Sequence, residues 1–184
     1  MENQDLALRL KEADTLYANA QMGAALKAYQ EILAEDDSIA WAHSRVGAIL
    51  AQMNDLDGAE QSLRRAIELD PTLPQAHSNL GNIFYARGDY QSALAKYKEA
   101  VALDHNNPTF HENLHAAYKK LGKLTDAVSA LKQAHRLDRE HAKADAKAKM
   151  SAMKQNIGKG RGCFGSALTT FILLVGALAL ISMM

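Results

Sequence analysis

Cysteine, proline and aromatic residues are all scarce in this chain: one cysteine, three prolines and 6% Phe, Trp and Tyr among 184 residues. The lone Cys163 excludes an intrachain disulfide, and no paired-cysteine spacing of a structural zinc site is present, so the folded part suits a reducing compartment. With 48% hydrophobic residues, the shortage of aromatics points to an Ala/Leu-rich helical protein. Three prolines are few for a chain with many turns. Neither sign of charge dominates, at 21 basic against 21 acidic residues, but the balance averages two unlike regions. Residues 1–141 hold 15 Lys/Arg against 20 Asp/Glu, whereas residues 142–184 hold 6 against Asp145 alone. The amino end is acidic, with no apolar run behind a basic start, so no secretory signal is read there and the amino end is expected to stay where it is made.

What is present is a repeat. Ala25, Ala59, Ala93 and Ala127 lie 34 residues apart, and their surroundings resemble one another from copy to copy. Aligning on them gives four units without a gap, 6–39, 40–73, 74–107 and 108–141, each read as helix, turn, helix. In the third, Leu80, Gly81 and Phe84 share a face of the first helix, Gly88-Asp89 makes the turn, and Ala93, Tyr97 and Ala100 line the second. Gly81 with Ala93, Gly47 with Ala59 and Ala13 with Ala25 fall where antiparallel helices approach closely. A unit of this length cannot bury its apolar face alone and must stack on its neighbours.

These small and large apolar places, with a proline near the end of the unit, resemble the tetratricopeptide repeat over residues 6–141. The resemblance implies an all-α solenoid of helix-turn-helix units that binds peptides or helices of partner proteins. Departures from the family pattern are Asp37, His105 and Arg139 where only Pro71 keeps the proline, and His43, His77 and His111 where the family has tryptophan. An aspartate precedes the proline place in every unit: Asp36, Asp70, Asp104 and Asp138. His115 stands where the other units have Gly or Ala, which predicts a splayed fourth helix pair. Glu12 and Glu35 give the first unit a polar outer face. After the repeats, Ala142, Ala146, Met150, Met153 and Ile157 recur at helical spacing among lysines, so residues 142–157 read as a basic amphipathic capping helix.

Gly158-Lys-Gly-Arg-Gly162 reads as a linker that breaks that helix. From Cys163 to Met184 no residue is charged, and 22 residues of helix reach roughly 33 Å, enough for a hydrocarbon core of about 30 Å. Residues 163–184 are therefore expected to be a transmembrane helix, and the segment resembles that of tail-anchored proteins. Lys143, Lys147, Lys149, Lys154, Lys159 and Arg161 all precede it, which orients the repeats to the cytoplasm. Cys163 at its edge is read as a plain interfacial cysteine, with a reversible acyl chain as the alternative. Ser166 and Thr170 share a face and are the only feature for weak self-association of that helix.

The segment His111-Glu-Asn-Leu-His115 matches the zinc-hydrolase pattern H-E-x-x-H. His111 stands at the same repeat place as His43 and His77, however, so repeat descent accounts for it, and a third ligand and a substrate cleft have no evident source. No Gly-rich phosphate loop, nucleophile elbow or acid/base pair is evident. The expectation is no enzyme, no metal and no cofactor. The surface expected to act is the concave one, formed by the first helices. One place on it reads Lys11, Arg45, Asn79, Asn113, and Asn82 lies a turn after Asn79. A side-chain amide both donates and accepts, so it can bond an extended peptide backbone without reading its sequence. The asparagines resemble the ladder in the tetratricopeptide superhelix of O-linked N-acetylglucosamine transferases, which implies peptide binding through Asn79 and Asn113. Lys11 and Arg45 favour an acidic segment, partly offset by Asp14. The family's carboxylate clamp for chaperone tails fails in both frames: Leu10, Asp14, Arg45, Gln75 and Asn79 in one, Ser44, Ala48, Asn79, Thr109 and Asn113 in the other. The whole reads as a membrane-anchored adaptor that recruits a protein or peptide partner and binds no nucleic acid.

Overall fold

In a computed structural model the described residues form α-helices joined by short turns, with no strand among them. It is described in full for residues 4–154, and for residues 2–3 and 155–181 as helical backbone alone. In order come α1 (Glu2–Ala18), α2 (Met22–Glu35), α3 (Ala40–Gln52), α4 (Leu56–Leu69), α5 (Pro74–Ala86), α6 (Tyr90–Leu103), α7 (Pro108–Lys120) and α8 (Leu124–Ile181). Met1–Leu137 form one compact unit and Asp138–Met184 a second. The first unit holds the stacked helix pairs, whose core runs through Ala25, Tyr29 and Ile32 onto Ala42, Val46 and Ile49 of the next pair.

The helices start and stop for local reasons that recur every 34 residues. Asp55 and Asp89 cap α4 and α6, each carboxylate accepting a backbone N–H three residues on, from Gly58 at 3.0 Å and Ser92 at 3.1 Å. Pro74 and Pro108 open α5 and α7, where a missing N–H costs nothing. The repeated aspartates explain themselves: Asp36, Asp70 and Asp104 accept from the N–H of Ser38, Thr72 and Asn106 and so fold the turn between units. Asp138 stands at the same place inside α8, where no turn follows.

Between the two helices of each pair, the turn depends on one residue with positive φ: Ala20 (57°), Asn54 (65°), Gly88 (81°) and Gly122 (71°). The next residue then bonds back to the first helix, as Gln21 N–H to Leu16 O at 3.0 Å and Asp89 N–H to Phe84 O at 2.9 Å. Ala20 carries a Cβ in that conformation, at a cost of about 1–2 kcal/mol. Ala20→Gly is therefore expected to stabilise the protein by about 0.5–1 kcal/mol after the entropy of the extra glycine is subtracted. A thermal melt that falls rather than rises would show the strain to be relieved elsewhere.

Close approach within the pairs is set by glycine. A Cβ on Gly47 would lie 2.6 Å from Leu63 Cγ and 3.0 Å from Ala59 O; one on Gly81 would lie 2.6 Å from Tyr97 Cε1. In the fourth pair the His115 ring fills this space and its Nδ1 reaches Ala127 O at 2.9 Å, so there a hydrogen bond replaces direct contact. The buried Tyr29 hydroxyl donates to Asp14 at 2.6 Å, and that of Tyr97 to Asn82 at 2.8 Å. Asp14 and Asn82 occupy one repeat place, Tyr29 and Tyr97 another. Where the second helix instead offers Leu63 or Leu131, the first offers Ala48 or Ala116.

Several carboxylates are held below their ordinary pKa. Asp36 and Asp70 are lowered mainly by the hydroxyls of Ser38 and Thr72, Asp89 by Ser92, and Glu60 chiefly by Arg87, which also bonds Asp57. A group whose folded pKa is depressed contributes stability above its unfolded value, lost as pH falls through the folded one. Melting temperature is thus expected to hold from about pH 7 to 5 and fall below about pH 4; thermal melts across that range check it.

Residues 142–154 are helical and every one is exposed, Met150 at 61% and Met153 at 65%. The backbone of α8 is helical across residues 158–162, where the glycines predict a break. Among the described residues no helix is long and apolar enough to cross a membrane; residues 163–184, on which the transmembrane expectation rests, lie outside the fully described ones, as do Ile157, Cys163, Ser166 and Thr170.

Candidate functional site

The first helices of successive pairs, α1, α3, α5 and α7, line a groove with two adjoining cavities. One, of about 270 Å³, is walled by Tyr17, Trp41, Ser44, Arg45, Gln75, Ser78, Asn79, Asn82, Asn107, Thr109, Phe110 and Asn113. The other, of about 280 Å³, shares Tyr17, Asn79 and Asn82 and continues over Gln52, Ala48, Ala51, Leu56, Ile83 and Ala86. One end thus offers amides and hydroxyls, the other aliphatic surface. Four of the five residues chosen from the sequence, Arg45, Asn79, Asn82 and Asn113, come together on this wall. Lys11 is exposed and is not among the lining residues.

Their states differ in ways that repeat register alone does not reveal. Arg45 is engaged on three sides. Its guanidinium centre lies 4.2 Å from the Trp41 ring centroid and 4.7 Å from that of Tyr17, and its Nε donates to Asp14 at 3.0 Å. Asp14 also accepts from Tyr29 at 2.6 Å and from Trp41 Nε1 at 3.4 Å. Burial, then the hydrogen bond to Asp14, pushes the Tyr29 hydroxyl well above its ordinary pKa, so it stays a donor. Arg45 is the sole charged residue lining either cavity, and Asp14 neutralises it. The offset of Arg45 by Asp14 that the sequence suggests thus takes the form of a direct ion pair.

Asn82 is also partly committed, because its carbonyl oxygen accepts from buried Tyr97, whose hydroxyl burial likewise raises in pKa. Asn113 donates to the buried Ser78 hydroxyl at 3.0 Å, which leaves its oxygen open. Asn79 carries neither kind of bond and presents a whole amide between the two cavities. Gln75, Ser44 and Thr109 are groove residues that the sequence reading missed as ligands. All three appeared there only as failed clamp positions, and the signal was their place on the same face as Asn79 and Asn113.

The histidines do something other than bind metal. His43, His77 and His111 each bring Nε2 to the carbonyl six residues back, at 3.1 Å on Asp37, 2.8 Å on Pro71 and 2.9 Å on His105. They tie each first helix to the turn before it, in the place the family gives to tryptophan. His77 has in addition its Nδ1 2.8 Å from Glu99; burial pushes that carboxyl up, but Lys96 and His77 outweigh it and hold it below its ordinary value. His111 and His115 therefore point at carbonyls on different elements, and no group of three metal-ligating side chains occurs among the described residues.

The repeats can now be placed by comparison. A family profile described as TPR repeat matches residues 47–86 and 81–122. The middle of this chain is a run of tetratricopeptide repeats. No curated protein sequence matches the chain. Among solved structures, MamA aligns with 21% identity and a TM-score of 0.65 over 75% of this chain and 81% of its own. A MamA double mutant aligns with 18% identity and a TM-score of 0.63, over 74% and 77%. The first TPR of Spaghetti (RPAP3) bound to the HSP90 peptide SRMEEVD aligns with 16% identity and a TM-score of 0.60, over 65% of this chain and 94% of that one. At these identities the likeness carries the TPR fold of the helix pairs. TPR arrays are protein-interaction scaffolds, typically without catalytic activity.

Proposed function

We propose that this protein is a membrane-anchored TPR adaptor whose groove holds an extended, uncharged segment of a partner protein. The observation that carries this reading is the lining of the groove: amides of Gln75, Asn79 and Asn113 beside aliphatic surface, with the single cation already neutralised. Amides aligned along a solenoid suit the alternating N–H and C=O groups of an extended backbone, and the aliphatic cavity takes a side chain. The RPAP3 TPR accepts a peptide ending in acidic residues; here the sequence offers Leu10, Asp14 and Gln75 at clamp positions, so an acidic terminus finds no free cation in the groove.

Residues 163–184 are the proposed anchor, with the repeats facing the cytoplasm by the charge rule. Holding the groove at a membrane raises the local concentration of whatever it captures there, so the mechanism is recruitment. A zinc hydrolase built on residues 111–115 is not favoured, since both histidines are bonded to backbone carbonyls. The test is crosslinked capture from the native membrane fraction, wild type against the Asn79→Ala, Asn113→Ala double variant. Loss of a protein from the variant's list supports the groove as the working surface, and identical lists overturn it.

A further inference from the structure

Residues 138–154 of α8 are exposed on every face. At 100° per residue, Ala142, Ala146, Met150 and Met153 make one narrow stripe. Lys143, Lys147 and Lys154 fall along one flank of it and Lys149 along the other, while Ala144, Ala148 and Ser151 lie opposite. Asp145, beside Lys149, is the only acidic side chain within residues 142–184. An apolar stripe bordered by long cationic side chains, with a small, nearly neutral back, suits a boundary between oil and anionic headgroups. The lysine stems lie along the apolar zone and their ammonium groups reach the phosphates.

We propose that residues 142–154 lie in the interface of an anionic lipid surface, with Met150 and Met153 toward the acyl chains and the lysines among the headgroups. The proposal rests on the membrane placement argued above and adds to it a surface and a lipid charge. Two observations choose lipid over a protein groove. The charge of the stripe's border is complementary to anionic headgroups, and an uncharged stretch of 22 residues begins nine positions after Lys154. Lying flat while residues 163–184 span requires α8, helical across residues 158–162 here, to bend at the membrane surface, and Gly158, Gly160 and Gly162 are where helix is least favoured.

The test uses the full chain with Cys163→Ser and one new cysteine at a time: Ala146→Cys, Met150→Cys and Met153→Cys on the stripe, Ala144→Cys, Ala148→Cys and Ser151→Cys on the back. Each is labelled with a polarity-sensitive fluorophore and reconstituted into phosphatidylcholine vesicles with and without phosphatidylserine, some carrying brominated acyl chains. The stripe positions are expected to shift to the blue and be quenched severalfold more than the back positions, the difference shrinking without phosphatidylserine. Exchanging the four lysines for glutamine is expected to abolish it. Protein that floats with the vesicles but shows no difference between faces overturns this helix placement alone. Protein that fails to float overturns the membrane reading, and this proposal with it. Stripe labels that become buried without vesicles as protein concentration rises overturn it in favour of a second copy.

Discussion

Replacing Asn79 and Asn113 together by alanine is expected to lower affinity for the groove partner about a hundredfold while leaving helix content unchanged. Each amide is placed to exchange two hydrogen bonds with an extended backbone, and a net 0.5–1.5 kcal/mol per bond puts the pair at about 3 kcal/mol. The two positions are not equivalent in their side effects. Asn79 has no commitment within the fold, so Asn79→Ala alone should melt like wild type. Asn113 satisfies the buried Ser78 hydroxyl, so its loss should lower stability slightly. Because the groove carries no uncompensated charge, the affinity of wild type for its segment is also expected to change little with ionic strength. Titration calorimetry with the captured segment reads both quantities, and wild-type affinity in the double variant would refute the amide reading.

Gly47→Leu is expected to have the largest effect on stability. The new Cβ would fall 2.6 Å from Leu63 Cγ and 3.0 Å from the Ala59 carbonyl, with fully buried Ala59 and Leu63 unable to retreat. The carbonyl belongs to the α4 backbone, so relief requires the whole helix to move and breaks contacts with α5 as well. Overpacking of this kind costs about 3 kcal/mol, a fall of about 10 °C in melting temperature at this chain length. Gly23→Leu is the matched control, since nothing lies within 4 Å of its added Cβ. Equal melting of the two variants would show that helix propensity, rather than close approach, governs the site.

The array was legible because stacking leaves small residues at a fixed period, and Gly47, Gly81 and the four alanines carry that constraint in their identity. The turn was less legible. A positive φ is announced by Gly88 and Gly122, yet Ala20 and Asn54 adopt it too, since surrounding contacts impose the conformation on whatever residue stands there. The groove divides the same way. Register placed Arg45, Asn79, Asn82 and Asn113 on one wall, but whether each is free depends on side chains at sequence distances of 15, 31 and 35. Asp14, Ser78 and Tyr97 decide the matter, and only Asp14, by its charge, announces that it does. The stripe at 142–153 is the reverse case: its amphipathic pattern is visible in the sequence, while the surface that meets it depends on what lies beside the chain.

The pairing of Tyr29 with Asp14 and of Tyr97 with Asn82, against Leu63 with Ala48 and Leu131 with Ala116, has a consequence for how such a chain can be recombined. Crossovers in the loop between units carry each tyrosine hydroxyl together with its acceptor, so the interior of each pair stays satisfied, although the Arg45–Asp14 and Asn113–Ser78 bonds between units are parted. Crossovers inside a unit, at Gly88 for example, would join an alanine-bearing first helix to a tyrosine-bearing second one, or the reverse, giving either an orphaned phenol or a void. Genetic shuffling and laboratory grafting thus cost less at the seams between units than at those within them. A library built from units 1 to 4 cut at residues 39, 73 and 107 should yield mostly folded arrays, whereas one cut at residues 20, 54 and 88 should yield mostly unfolded ones.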